Sequence, residues 1–182
     1  ISVMFVLFDD CCGPKEHYRE PVFGKQPDPV PGHHGGFVAT PFDGSDRVGF
    51  NVLDVEEESE NVISYVRDIV TNFRDDERII AWDILNEPGN SNRGFKSLEK
   101  MEQIFAAIRE IRPVQPLTAC AWSFPDGIIN FNNDIHGIEK RALELSDIIT
   151  YHFYGGYQKS VEVIERLKSF NRPMLITEWL HR

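Results

Sequence analysis

The sequence predicts an α/β protein built on parallel strands, either a doubly wound sheet or a (β/α)8 barrel. Three observations carry that reading. Apolar runs of strand length alternate regularly with segments whose apolar residues recur at helical spacing. The runs are apolar at successive positions, as in strands covered on both faces, and such alternation implies right-handed crossovers between parallel neighbours. No glycine-rich phosphate loop follows the first strand, which counts against a nucleotide-binding sheet.

The elements follow in order. "SVMFVLF" (2–8) is a strand bounded by Asp9 and Asp10. A long irregular stretch, rich in Pro and Gly ("KQPDPVPGHHGG"), runs to about residue 54, and a loop of that length inside a domain is functional or disordered. Between Val55 and Phe73, the residues Val62, Ile63, Val66, Ile69, Val70 and Phe73 mark one helical face, with acids at the start where they favour the helix dipole. "RIIAWDIL" (78–85) is the second strand. Phe95, Leu98, Met101, Ile104, Phe105, Ile108 and Ile111 then mark a helix that Pro113 stops. "PLTACAW" (116–122) is a strand, residues 137–145 a short helix, and "DIITYHFY" (147–154) the fourth strand. Val161, Ile164, Leu167 and Phe170 give the last helix, and "PMLITEW" (173–179) the fifth strand.

The chain has 182 residues, of which 41% are hydrophobic and 26% charged, which suits one globular domain with a sizeable core. Acidic residues outnumber basic ones 29 to 19, for a formal net charge of −10. That charge would repel phosphate backbones and anionic lipid surfaces, so neither nucleic acid nor a membrane is expected as a partner. No apolar run approaches the ~20 residues that a membrane-spanning helix needs. Cys11 and Cys12 are adjacent and Cys120 is remote, with no C-x-x-C spacing, so zinc is not expected and the redox compartment stays open. His33 and His34 are neighbours in a Gly/Pro loop, a poor chelate and better read as a loop or site-rim pair. The first residues carry no charged n-region and read as strand, not as a signal peptide.

In parallel β/α folds, reactive groups collect at the C-terminal ends of strands. Here those ends are Asp9 and Asp10, Asn86 and Glu87, Trp122, His152 and Tyr154, and Glu178 and Trp179. Every strand delivers polar or aromatic groups to one rim, and two deliver a glutamate. Either glutamate alone reads as a solvated strand terminus. Two that close apolar strands across a cleft are the equipment for breaking a glycosidic bond, one protonating the leaving oxygen and the other attacking the anomeric carbon or activating water. His152 and Tyr154 alternate on their strand and so point the same way. Trp82 lies early in its strand and reads as core or helix-facing packing, and Asp83, inside the strand, as structural.

"WDILNEP" resembles the Asn-Glu-Pro signature of the clan A glycoside hydrolases, and "LITEW" resembles their nucleophile strand, with "YHFY" between them in the family's order. The nearest resemblance is to family five, the cellulase, mannanase and xylanase group, and it extends over nearly the whole chain. It implies an incomplete (β/α)8 barrel in which residues 1–182 form one partial catalytic domain. "SVMFVLF" would be strand three, "RIIAWDIL" strand four and "PMLITEW" strand seven, with strands one, two and eight outside the chain. A complete barrel of this type has about 250 residues.

The resemblance also implies roles. Glu87 would be the general acid and then the general base, which requires that it stay protonated near neutral pH. Glu178 would be the nucleophile of a retaining double displacement, and Asn86 would hold the sugar 2-hydroxyl. His152 and Tyr154 would lie in the cleft, with Tyr154 hydrogen-bonded to Glu178. Trp122 and Trp179 would stack on sugar rings, and Asp9 and Asp10 would be substrate-side acids. The expected partner is a β-linked polysaccharide or oligosaccharide; no cofactor, no metal and no obligate protein partner is implied. That substrate class favours a secreted or periplasmic enzyme. Two other readings compete, a carbohydrate-binding barrel without turnover and a β/α scaffold whose acids are merely solvated strand ends.

Overall fold

Among the described residues five strands and four helices alternate: β1 (Val3–Val6), α1 (Ser59–Phe73), β2 (Ile79–Asn86), α2 (Leu98–Ile111), β3 (Leu117–Cys120), α3 (Gly137–Leu145), β4 (Ile149–Phe153), α4 (Tyr157–Leu167) and β5 (Met174–Trp179). The computed structural model describes residues 1–11, 51–91, 93–123 and 137–179. His33, His34, Cys12 and most of the Pro/Gly-rich stretch lie outside them. Among the described residues no helix is long and apolar enough to cross a membrane.

All strand pairs are parallel. One sheet has the order β1-β2-β3 and a second pairs β4 with β5. An isolated parallel bridge between Ala121 and Tyr151 links the end of β3 to β4, so neighbours in sequence are neighbours in space throughout. The sheets are not closed on each other, and the architecture is a partial (β/α)8 barrel. The predicted order of elements is the observed one, whereas several boundaries move. β1 is shorter than the apolar run, and the register shift in its ladder lies at its start, between Val3 and Met4. Backbone pairing with β2 nevertheless continues, from Leu7 N–H to the Asp83 carbonyl (2.8 Å) and from Asp10 N–H to the Asn86 carbonyl (3.0 Å). Two short 3-10 turns, Val52–Asp54 and Glu56–Glu58, precede α1, and the second takes the place of its expected first turn. The Asn51 side chain caps the earlier of them by accepting from Leu53 N–H at 2.9 Å.

The helices bury the stripes that their periodicity marks. α1 seals Val62, Val66 and Val70 against the sheet, and α2 seals Met101, Ile104, Phe105 and Ile108. Burying each such side chain contributes about 1.5–3 kcal/mol. On α4 and just beyond it Leu167 is buried and Ile164 and Phe170 pack against the core as predicted, whereas Val161 faces solvent and Val163 is buried in its place. Trp82 is completely buried, its ring 5.5 Å from that of Phe5 and its indole N–H satisfied by Gln115 Oε1 at 3.0 Å. Arg172 Nη1 donates to the carbonyls of Leu143 (2.7 Å) and Glu144 (3.0 Å) at the C-terminus of α3, where a cation also favours the helix dipole.

Candidate active site

Parallel strands point their C-terminal ends one way, and this brings the end of β2, the end of β4 and the end of β5 to one rim. Glu87 follows the last residue of β2, His152 lies in β4 and Glu178 in β5. His152 Nδ1 is 2.7 Å from Glu87 Oε1, and its Nε2 is 3.4 Å from Glu178 Oε1. One ligand atom from each of the three residues falls within 4.8 Å of the others. The Tyr154 hydroxyl donates to Glu178 Oε2 and the Asn90 side-chain amide donates to Glu87 Oε2. The two carboxyl groups differ in exposure: the Glu87 side chain is 12% exposed and that of Glu178 37%. The imidazole between them is 3% exposed.

The backbone around Glu87 is built for this placement. Glu87 itself has φ +48°, left-handed for a residue with a Cβ, and such a conformation costs about 1–3 kcal/mol. The next residues form a turn in which Asn90 N–H donates to the Glu87 carbonyl at 3.0 Å. Pro88 supplies the second position and Gly89, at φ +79°, the third, the residue pattern of a type II turn. A Cβ on Gly89 would also meet the Gly94 carbonyl oxygen and the Ile138 side chain at 3.0 Å. Only glycine suits that position on both grounds.

The other predicted residues divide. Asn86 is buried and its amide donates to Asp9 Oδ1 at 3.1 Å. Asp9 Oδ1 also accepts from Cys11 N–H at 2.8 Å, so Asp9 holds the Asn86 carboxamide in one orientation. Trp122 is half-buried and its indole N–H donates to the Pro88 carbonyl at 3.1 Å. Trp179 is 61% exposed at the end of β5. Asp10 requires a correction. It was expected among the substrate-side acids, yet it is completely buried and every one of its oxygens is engaged by protein groups. Its Oδ1 accepts from Arg93 Nε (2.8 Å), Ser97 Oγ (2.7 Å) and Asn51 Nδ2 (3.0 Å), and its Oδ2 from Gly89 N–H (2.9 Å). Asp9 and Asp10 are neighbours on extended chain and their side chains leave opposite sides of it, so one meets Asn86 and the other the Arg93 pocket.

The family model for cellulase (glycosyl hydrolase family 5) matches residues 41–180, a span that includes both glutamates. The chain belongs to glycosyl hydrolase family 5. This family 5 chain also aligns over 68% of its length with a crystal structure of a GH2 beta-galacturonidase from Eisenbergiella tayi bound to galacturonate, at 18% identity and a TM-score of 0.46. It spans 22% of that protein's chain. No curated protein matches it.

Two residues of the family 5 chain that periodicity did not single out surround its turn. Arg93, completely buried, grips Asp10 and also forks onto Asp54 through Nη1 (2.7 Å) and Nη2 (2.5 Å). The Arg93 hydrogen bonds hold the Asp54 carboxyl below its ordinary range. Glu139, the third residue of α3, accepts from the backbone N–H groups of Trp122 (2.7 Å) and Ser123 (2.8 Å) through Oε1. Among the described residues, the trio Glu87, His152 and Glu178 has the spacing to hold a divalent cation, with one imidazole and two carboxylate donors, although sequence reasoning expected no metal.

Two buried carboxyls in this rim titrate far from their ordinary values. Burial pushes Asp83 up to about 7, opposed by His152 and the N–H groups of Leu85 and Cys120, and reinforced by Asp9. Burial likewise pushes Glu139 up to about 7, opposed by the Ser123 and Trp122 N–H groups and reinforced by Glu87. A raised carboxyl pKa means that the folded state keeps a proton that the unfolded chain releases. The associated stability is therefore fully present below pH ~4 and is lost as pH rises through 7, at up to about 1.4 kcal/mol per pH unit for each group. Asp54 and Asp76 are shifted downward and are already ionised across that window. Urea unfolding from pH 4.5 to 7.5 is expected to lose stability with rising pH, and D83N is expected to halve the slope. An unchanged slope in D83N would show that Asp83 carries its charge when folded.

Proposed function

We propose that this family 5 chain carries the catalytic strands of a retaining glycoside hydrolase that cleaves β-linked polysaccharide or oligosaccharide. In this reading it supplies strands three to seven of an eight-stranded barrel, Glu87 is the general acid and base, and Glu178 is the nucleophile. The observation that carries the proposal is the approach of the two carboxyl groups, one oxygen of each within 4.8 Å, through a shared imidazole. Retaining glycosidases hold their pair about 5–5.5 Å apart, whereas inverting ones leave about 6.5–9.5 Å for a water molecule.

The geometry supports one order of events. Glu178 attacks the anomeric carbon as the glycosidic C–O bond breaks, and Glu87 gives its proton to the departing oxygen. A water molecule then attacks the glycosyl ester, giving its proton to Glu87 and returning Glu178 as carboxylate. One imidazole tautomer fits the resting state. With the ring proton on Nε2, His152 donates towards Glu178 Oε1 while Nδ1 accepts from protonated Glu87 Oε1. In this tautomer the neutral ring serves a charged Glu178 and a protonated Glu87 at once, the division of labour that the mechanism needs. Tyr154 adds a second donor to Glu178, Asp9 fixes the Asn86 amide for the sugar 2-hydroxyl, and the exposed Trp179 offers a face on which a sugar ring stacks.

The stereochemical course tests the proposal. With the full-length enzyme and a β-glycan oligosaccharide, proton NMR of the first-formed product is expected to show the β anomer before mutarotation. First formation of the α anomer would mean inversion and would remove Glu178 from the nucleophile's role.

A further inference from the structure

The turn that presents Glu87 is pinned at a single peptide unit. The carbonyl of Pro88 and the N–H of Gly89 belong to the same peptide plane, the central one of the turn. The carbonyl accepts from Trp122 Nε1 at 3.1 Å and the N–H donates to Asp10 Oδ2 at 2.9 Å. Turns of type I and type II differ chiefly by a flip of that plane, and a flip would break both bonds at once. The Asp10 side is anchored by a buried ion pair to Arg93. The Trp122 side is anchored at its backbone, where Glu139 Oε1 receives the N–H groups of Trp122 and Ser123 just beyond the end of β3.

We propose that Glu139 is a positioning residue for Glu87, acting through Trp122 and the Pro88 carbonyl. Its side chain is 1% exposed, too buried to meet a substrate directly. Glu139 Oε2 has no hydrogen-bond partner among the described residues, so the second oxygen adds nothing to local satisfaction of polar groups. What the residue supplies is one acceptor, placed to hold two consecutive N–H groups and hence the orientation of the indole between them and Pro88. The burial that pushes its carboxyl up to about 7 is consistent with a neutral carboxylic acid in this role, for which the single acceptor suffices. Losing the grip releases the indole, frees the peptide plane and lets the Glu87 carboxyl drift from the glycosidic oxygen.

The inference rests on the reading of Glu87 as general acid, and the test separates the two. In the full-length enzyme, kcat/KM is measured for two probes built on whichever of glucose, mannose and xylose the wild type turns over fastest. One is a 2,4-dinitrophenyl β-glycoside, whose leaving group departs without a proton, and the other is an unactivated β-linked tetrasaccharide. E139A is expected to lose about 10- to 100-fold on the tetrasaccharide, the cost of a misplaced catalytic group, with the dinitrophenyl glycoside changed less than about threefold. E139Q, which keeps the acceptor oxygen, is expected to restore most of the loss. W122F, which removes the indole N–H, is expected to show the same dependence on leaving group and to add little in combination with E139A. Equal losses on both probes, or none in E139A and W122F, would overturn the inference. If E139A does not fold, the leaving-group dependence of W122F and of E139D decides. E87A run alongside tests the underlying reading: the same selectivity there, without it in the Glu139 and Trp122 variants, rejects the positioning role alone, whereas its absence in E87A rejects Glu87 as the acid.

Discussion

E87A and E178A are each expected to abolish most turnover in the full-length enzyme, and azide is expected to rescue them with opposite stereochemistry. Removing a general acid and base costs about 10²–10⁴-fold. E178A, which removes the covalent route, is expected to lose at least as much. In E87A an activated glycoside still forms the ester on Glu178, and azide enters the space left by the missing carboxyl to attack that ester from the face water would use. Its product keeps the β configuration. In E178A azide occupies the place of the nucleophile and displaces the leaving group directly, so its product is inverted. The geometry behind this expectation is the placement of the two carboxyls on either side of His152, at 2.7 Å and 3.4 Å from its ring nitrogens. Glycosyl azides of the same configuration from both variants would contradict the assignment of roles.

R93A is expected to destabilise the fold by about 3–5 kcal/mol, the usual cost of leaving one partner of a buried ion pair alone. Both Arg93 and Asp10 have completely buried side chains. Without the guanidinium, Asp10 keeps only Ser97, Asn51 and the Gly89 N–H as donors, none of them charged. R93K is expected to recover little, because one ammonium cannot reproduce a fork that meets Asp10 through Nε and Asp54 through both terminal nitrogens. Urea denaturation of the two variants at neutral pH measures this directly. A loss below about 1 kcal/mol would mean that water reaches Asp10 once the arginine is gone. Since Asp10 also holds the Gly89 N–H, the R93A variant is expected to lose activity before it loses fold.

The two glutamates were legible in the sequence because of where they stand. "WDIL" and "LITE" are apolar strands, and a carboxylate at the end of such a run has nowhere to go but the rim. The alternation of strands and helices was legible for a related reason, since each period buries a different face. The support beneath the site was not. Arg93 sits in a loop of Asn and Gly residues and looks solvated, while its partner Asp10 lies 83 positions away, across the long Pro/Gly-rich stretch. Asp10 and Asp9 are adjacent, yet one is sealed and one braces Asn86, because consecutive side chains on extended chain leave opposite sides of it. Glu139 reads as an ordinary acid in the first turn of a helix, where a carboxylate favours the dipole. Only the return of α3 against the end of β3 makes it a clamp. A signal did exist at the turn itself: Pro followed by Gly directly after Glu87 implied a fixed backbone, and a fixed backbone needs something to hold it.

Covalent attachment of a sugar to Glu178 is the step that a slowed substrate would expose most directly. The full-length enzyme is incubated with 2,4-dinitrophenyl 2-deoxy-2-fluoro-β-glycosides of glucose, mannose and xylose, whose fluorine slows hydrolysis of the ester more than its formation. Intact mass and peptide sequencing by mass spectrometry are expected to show one added glycosyl group, on the peptide containing "LITEW" and at Glu178. A label on Glu87, or steady turnover of an unfluorinated glycoside with no label from its fluorinated counterpart on any peptide, would contradict the account.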